Sequence, residues 1–437
     1  MALPWRPVAR DYALDILRLN QSRVLAGTGS PKVLVGGINL NSTPNFHTIS
    51  MIEMGASIVA ITLEREHAWR PDMLFVPPNR SLISSMTALP QKWDPDFFWD
   101  AQAEHGHYVP PGLSMVPIPS VVSFIHAHLG HALRHMRGMF DCMIAPTEFM
   151  RHLGDAVLPW GASWGSQKVR IEAVAGKADG GPRDIDFLCT LNRNFIGHKS
   201  TRGEAVAAVE ALKAKRTDLN IQLVSGLKPI DYYKTLRRAK AALSMGTWGQ
   251  PMSYRPLEII DCGAVMVHVD ETGYGSKASM AEFLTPGVHY VEATPEALEQ
   301  AVDIALSPAS AEMPGLAFRK VEKDYSYRKQ YERLFELAGR TKPGKRMSEQ
   351  DFSRNAFAVS YTTGFKEYAS AHTWALTEAD KATMRSLPRS FERPNVCLWT
   401  PSNVEQLSRF RTDLSRADEP VEEIYRRHFE EAKCPAV

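Results

Sequence analysis

The sequence predicts an α/β protein of two successive Rossmann-like domains with a helical extension at the C-terminus. Three observations carry this. The chain has 437 residues, more than one ordinary hydrophobic core organises. Residues 32–62 read as strand, glycine-bearing loop, helix and strand, which is a βαβ opening. The same grammar restarts at Asp184 and culminates in residues 248–275, where a helix feeds directly into a β-branched run.

In the opening unit, residues 32–37 (K-V-L-V-G-G) form the strand and its turn. An apolar-periodic segment over 48–54 is the helix, Gly55 closes it, and 57–62 is the second strand. The intervening loop lacks both G-x-G-x-x-G and the Walker lysine, so neither standard phosphate motif is expected there. Its Asn39, Asn41, Ser42 and Thr43 suit either a polar ligand or a turn-rich connection. Residues 63–115 are rich in Pro and Trp, with a turn and strand suggested over 94–99. Further strands are expected over 121–125, 140–145 and 157–161. Residues 162–183 lack strong periodicity and carry Gly176, Gly180, Gly181 and Pro182. They read as the passage between domains.

The second unit begins with a strand over 185–190, a basic loop over 191–201 and a helix over 202–215. A strand over 220–224, a helix over 232–239 and a short strand over 241–244 follow. Pro256 suits the first turn of the next helix, where its missing N–H is harmless, and Gly263 suits its end. Glu258 is expected in that first turn, where the helix dipole favours an anion or a hydrogen-bonded hydroxyl. Residues 265–269 then form a buried strand. A long amphipathic helix is expected over 325–339, and the last ~95 residues read as mostly helical and charged. The predicted boundaries are 1–165, 184–340 and an extension over 341–437, part of it crossing back to the first domain.

Composition narrows the function classes. Apolar content of 44% and charged content of 23% are those of a soluble globular protein. A net charge of +2 gives no reason to expect nucleic-acid binding, although local basic patches suit phosphates. Cys142, Cys189, Cys262, Cys397 and Cys434 are scattered and form no C-x-x-C. That argues against a disulfide framework or zinc knuckle and for a reducing, cytoplasmic setting. The N-terminal residues lack the apolar core of a signal peptide. No stretch approaches 18 continuous apolar residues, so no membrane-spanning helix is expected, while peripheral membrane contact stays open.

Three stretches of the second unit carry a resemblance. They are L-N-R-N-F-I-G-H-K at 191–199, D-Y-Y-K-T-L-R-R-A-K-A-A-L-S at 231–244, and Y-R-P-L-E-I-I-D-C-G-A-V-M-V at 254–267. Together they resemble the donor-nucleotide domain of GT-B glycosyltransferases. The last is close to the R-x-x-E-x-x-x-C-G-A signature of the spore-maturation-type group 1 family. The resemblance covers about 120 residues; the first half of the chain matches only in layout. It implies two Rossmann-like domains facing across a cleft. It also implies sugar transfer from a nucleoside diphosphate sugar to a hydroxyl on a glycan or lipid-linked acceptor, with no cofactor and no essential metal.

Glycosyl transfer leaves negative charge on the departing diphosphate. Without a metal, Arg, Lys and backbone donors must hold it. Arg193, Lys199 and Arg255 are the candidates, with Ser253 and Tyr254 beside the phosphate or sugar. The resemblance gives Glu258 the ribose hydroxyls, Thr247, Trp248 and Gly249 a place over the sugar, and Leu227 or Lys228 a place by the base. Many retaining relatives carry a Glu-x7-Glu pair. Here Gln250 stands eight residues before Glu258, which leaves the stereochemical outcome open. A base for the acceptor hydroxyl suits histidine. His126 and His128, at the end of a first-domain strand, are the candidates, ahead of Glu64 and His67. Two other classes stand beside this one. One is a catalytically silent binder of sugar nucleotides. The other is a metal-dependent hydrolase built on His126, His128, His131 and His135.

Overall fold

The structure, a computed structural model, describes residues 7–36, 46–62, 70–77, 80–101, 109–124, 135–159, 168–178, 180–191, 201–246, 254–270, 279–344 and 347–362, with short pieces at 377–379, 382, 423–424 and 427. The chain divides into two compact units, 1–3, 11–163 and 330–437 in one, 4–10 and 164–329 in the other.

The first unit is a seven-stranded sheet in the order β3-β2-β1-β4-β5-β6-β7, parallel throughout. Its strands are β1 (Lys32–Gly36), β2 (Ser57–Thr62), β3 (Met73–Phe75), β4 (Phe97–Asp100), β5 (Ser120–Ser123), β6 (Cys142–Ala145) and β7 (Ala156–Val157). Helices α1 (Pro7–Ala26), α2 (Phe46–Glu53) and α3 (Leu82–Met86) accompany them. Strands β4, β5 and β6 are buried along their whole length, as in a parallel sheet covered on both faces. Two polar side chains that enter this core are paired. Asn20 of α1, fully buried, donates to the Ile58 carbonyl and accepts its N–H, both at 2.8 Å. Trp93 donates to Ser57 Oγ at 2.8 Å. Strand β3 has no counterpart in the sequence reading, because three residues at a sheet edge are too short to show a period.

The second unit is a five-stranded parallel sheet in the order β12-β11-β10-β8-β9. It consists of β8 (Ile185–Cys189), β9 (Ile221–Leu223), β10 (Ala239–Met245), β11 (Val265–Val269) and β12 (Val291–Ala293). The helices are α4 (Lys168–Ala175), α5 (Thr201–Lys215), α6 (Pro229–Arg238), α7 (Tyr254–Asp261), α8 (Leu298–Leu306) and α9 (Met313–Tyr325). The chain leaves β8 to one side for β9, then crosses to the other side for β10, β11 and β12. The reversal lies between β8 and β10, where open α/β sheets open a crevice at their carboxyl ends.

Helix α7 begins at Tyr254, two residues before Pro256. Pro256 is still among the first four residues, whose N–H groups need no helical acceptor. The earlier start moves Glu258 into the second turn, so the expectation of a first-turn acid is corrected. Gly263 ends the helix as expected: its φ is +74°, its N–H reaches the Ile260 carbonyl and that of Ala264 reaches Ile259. A Cβ there would lie 2.8 Å from Arg183 Nη2. Arg183 in turn donates to the carbonyls of Ala239 and Cys262, fastening the segment before β8 to the ends of α6 and α7.

After α9, helix α10 (Tyr327–Arg340) and helix α11 (Glu349–Thr362) follow. From residue 330 the chain belongs to the first unit. Tyr331 and Phe335 pack edge-on against Trp99 and Phe97 of β4, at 5.8 and 6.2 Å between ring centroids. Glu349 accepts from the Gly112 N–H and the Ser114 hydroxyl. The Gly344 N–H reaches Asp141, whose other oxygen takes the Ser120 N–H. A band of the C-terminal region is thus bonded to the first sheet's surroundings.

Candidate functional site

A cavity of about 340 Å³ opens at the carboxyl edge of the second sheet. Its lining follows from the topology. Thr190 directly follows β8. Val224, Ser225, Gly226 and Leu227 form the turn after β9, and Tyr232 comes from α6. Arg202 lies in the first turn of α5 and Arg255 in the first turn of α7. Parallel strands deliver successive turns to one edge, so five separate stretches meet there. Gly226 has φ +73°, a left-handed turn that suits glycine. Leu227 is 37% exposed, leaving apolar surface at the rim.

The cationic part is tied together. Arg255 Nη1 donates to Thr190 Oγ1. Behind them Cys189 is fully buried. Burial pushes its thiol up to about 11, against the opposing pull of Arg255 and Arg202. Both guanidinium groups therefore act electrostatically on the end of β8. With the hydroxyls of Thr190 and Ser225, they make an edge suited to phosphate oxygens.

Glu258 lies one step behind this lining. It is 8% exposed, and its carboxylate accepts the phenols of Tyr232 and Tyr233, each at 2.9 Å. Tyr232 lines the cavity and Glu258 does not. Burial and then the Glu258 charge push the Tyr232 phenol far up, with Arg255 pulling the other way. Tyr232 therefore keeps its proton and donates it in a hydrogen bond to Glu258.

A second buried network sits at the ends of β10 and β11. His268 Nδ1 and Ser244 Oγ are 3.1 Å apart, and His268 Nε2 and Asp270 Oδ1 are also 3.1 Å apart. Asp270 further accepts the Ser279 hydroxyl at 2.6 Å and the Met280 N–H at 3.0 Å. Burial alone would raise the Asp270 carboxyl; the bonds from His268, Ser279 and Met280 hold it below the ordinary aspartate value. Ser244 and His268 are both fully buried, so this Ser–His–Asp alignment serves as a strand-end brace. In the first unit, Gly36 and Asp100 are register partners at the ends of β1 and β4, where that sheet also reverses direction. A Cβ at Gly36 would stand 2.9 Å from Asp100 Oδ2.

Of the residues singled out from sequence, Tyr254, Arg255 and Glu258 lie on α7, with Arg255 at the cavity. Leu227 also lines it, whereas Lys228 precedes α6 and does not. Arg193, Lys199, Thr247, Trp248, Gly249, Gln250 and Ser253 lie outside the described residues, as do Glu64, His67, His126, His128 and His131. His135 pairs with Asn355 at 3.2 Å. Among the described residues no group of three or more potential ligands is placed to hold a metal. Thr190, Arg202, Ser225 and Tyr232 were not singled out from the sequence. The available signals were Thr190's position at the end of a predicted strand and Arg202's at a helix start.

A family model described as glycosyl transferase-like matches residues 188–336, about a third of the chain and nearly all of the second sheet. Those residues are thus similar to a glycosyl transferase-like domain. The chain holds two parallel α/β units in succession, and the match falls on the second. No curated protein matches the sequence. Among solved structures, the glycosyltransferase from Rickettsia africae ESF-5 aligns at 11% identity and TM-score 0.45, over 70% of this chain and 97% of that one. A glycosyltransferase involved in avilamycin A biosynthesis aligns at 14% and 0.45, over 71% and 97%. Sucrose-phosphate synthase from Thermosynechococcus elongatus aligns at 11% and 0.45, over 70% and 98%. Within the matched residues, the cavity lies at the carboxyl edge of the sheet.

Proposed function

We propose that the cavity receives the nucleoside diphosphate of an activated sugar and that the protein moves this sugar to a hydroxyl acceptor. The observation that carries the reading is the convergence of Thr190, Arg202 and Arg255 at the strand reversal of the glycosyl transferase domain. Two guanidinium groups and a hydroxyl match a diphosphate, whose departure requires donors aimed at developing charge. The turn 224–227, with its half-exposed leucine, suits a flatter and less polar part of the ligand.

In this reading Arg193, Lys199 and Ser253 add donors to the phosphate edge, with Tyr254 beside them. His126 or His128 removes the proton of the acceptor hydroxyl. The reaction runs without an essential metal. The acceptor is a glycan or a lipid-linked glycan handled at the cytoplasmic side. No helix among the described residues is long and apolar enough to cross a membrane, so such a lipid would be met by peripheral contact.

Isothermal titration with UDP and GDP tests the reading. Saturable binding of one of them, weakened by Arg202→Ala and Arg255→Ala, is expected. A wild-type protein that binds neither would overturn it. Hydrolysis or transfer from a matching nucleotide sugar, retained in the presence of a chelator, then separates a metal-independent enzyme from a silent binder and from a metal-dependent hydrolase.

A further inference from the structure

Glu258 is the one acid of α7's buried face, yet it does not reach the cavity. Both carboxylate oxygens are occupied, Oε2 by Tyr232 and Oε1 by Tyr233, each at 2.9 Å. Tyr233 is 1% exposed and serves as a fixed anchor for the carboxylate. Tyr232 is the neighbour that lines the cavity. The two rings lie 5.1 Å apart at 58°, held so that both phenols point at one anion. A carboxylate only accepts hydrogen bonds, so both phenols must donate. With its proton spent in this way, a tyrosine oxygen has only lone pairs left for a ligand.

We propose that Glu258 is a positioning residue that acts on the bound nucleotide through Tyr232: it accepts the phenol's hydrogen bond and leaves the lone pairs of Tyr232 Oη as an acceptor for an N–H or O–H of the ligand. The inference rests on the donor-site reading above and differs from a direct contact between Glu258 and the ribose. A direct contact requires the carboxylate to leave Tyr232 or to share an oxygen with it. The relay uses the bonds already formed and gains strength because its final acceptor is charged.

The test is a double-mutant cycle of Tyr232→Phe and Glu258→Gln, read by calorimetry with whichever of UDP and GDP the wild type binds more tightly. Tyr232→Phe keeps the ring and removes one oxygen; affinity should fall about tenfold. Glu258→Gln should cost a similar factor alone and less than about twofold once Phe is at 232. A direct ribose contact, or a purely structural role for Glu258, would keep its full loss in the Phe background and overturn the inference. Wild-type affinity in Tyr232→Phe would overturn it as well. Should Glu258→Gln fail to fold, Glu258→Asp, which keeps the charge and shortens the reach, is read in the same two backgrounds. Wild type binding neither nucleotide would remove the donor-site reading and this inference together; binding with additive losses would remove this inference alone.

Discussion

Arg255 donates to Thr190, so the second residue of α7 is bonded to the residue that follows β8. The link spans 65 positions of sequence and closes one corner of the cavity. Arg255→Ala should weaken nucleoside diphosphate binding by about 2 kcal/mol, the scale of a charge-assisted hydrogen bond. Arg255→Lys should recover only part of that, because an ammonium lacks the planar fork. An unchanged Kd in Arg255→Ala would remove this residue from the site.

The brace at Asp270 makes a pH-dependent contribution. Its native carboxyl is held below the ordinary aspartate value, so its contribution is complete above the unfolded-state pKa. It is lost as pH falls through the lower native value. Asp270→Asn should therefore destabilise the second unit by about 2 kcal/mol at neutral pH, and the gap to wild type should close only below about pH 4. Urea unfolding at pH 7 and in the acid limb checks this. A gap that stays the same size throughout would show that the charge contributes nothing.

Asn20 exchanges two hydrogen bonds with the backbone of Ile58 in the buried interior. Asn20→Ala leaves a strand N–H and a carbonyl without these partners, at a cost of about 3 kcal/mol. Asn20→Leu should be no better, since bulk replaces neither bond. Chemical denaturation followed by tryptophan fluorescence should register the change, because Trp93 and Trp99 belong to the same core. A midpoint like that of the wild type would contradict it.

Three cysteines are predicted to be inert in the native protein. Burial pushes the thiols of Cys142 and Cys262 up to about 12 and that of Cys189 up to about 11. Each is therefore a protonated thiol at neutral pH, and the thiolate is the reactive form. Iodoacetamide at pH 7.5 followed by peptide mapping should leave these three unlabelled until denaturant is added. Rapid native labelling of Cys189 would mean that the end of β8 is open.

Much of the local order was legible. Residues 48–54, Gly55 and 57–62 read as helix, stop and strand, and α2, a left-handed Gly55 and β2 stand there. The same holds for α7, Gly263 and β11. Caps and hydrophobic periods lie within one or two turns of the residues they govern, so a sequence displays them directly. Glu258 shows the limit of that reading. Pro256 stands in the first turn as the sequence predicts, but helix α7 already starts at Tyr254, which moves Glu258 into the second turn.

By itself, then, the sequence determined two parallel α/β units, the helix around Pro256 that ends at Gly263 and the strand that follows it. It also supplied the resemblance of residues 254–267 to a group 1 glycosyltransferase signature. Which side chains share a cavity was decided by the strand order β12-β11-β10-β8-β9, which brings Thr190, Ser225, Tyr232 and Arg255 to one edge. Tertiary packing likewise placed Glu258 behind Tyr232 and laid Tyr331 and Phe335 of α10 against β4. The physical reason is one of range. Periodicity and capping are set by neighbours along the chain, whereas these contacts join residues whose encounter depends on how strands are ordered and faces are buried, and no local pattern encodes that.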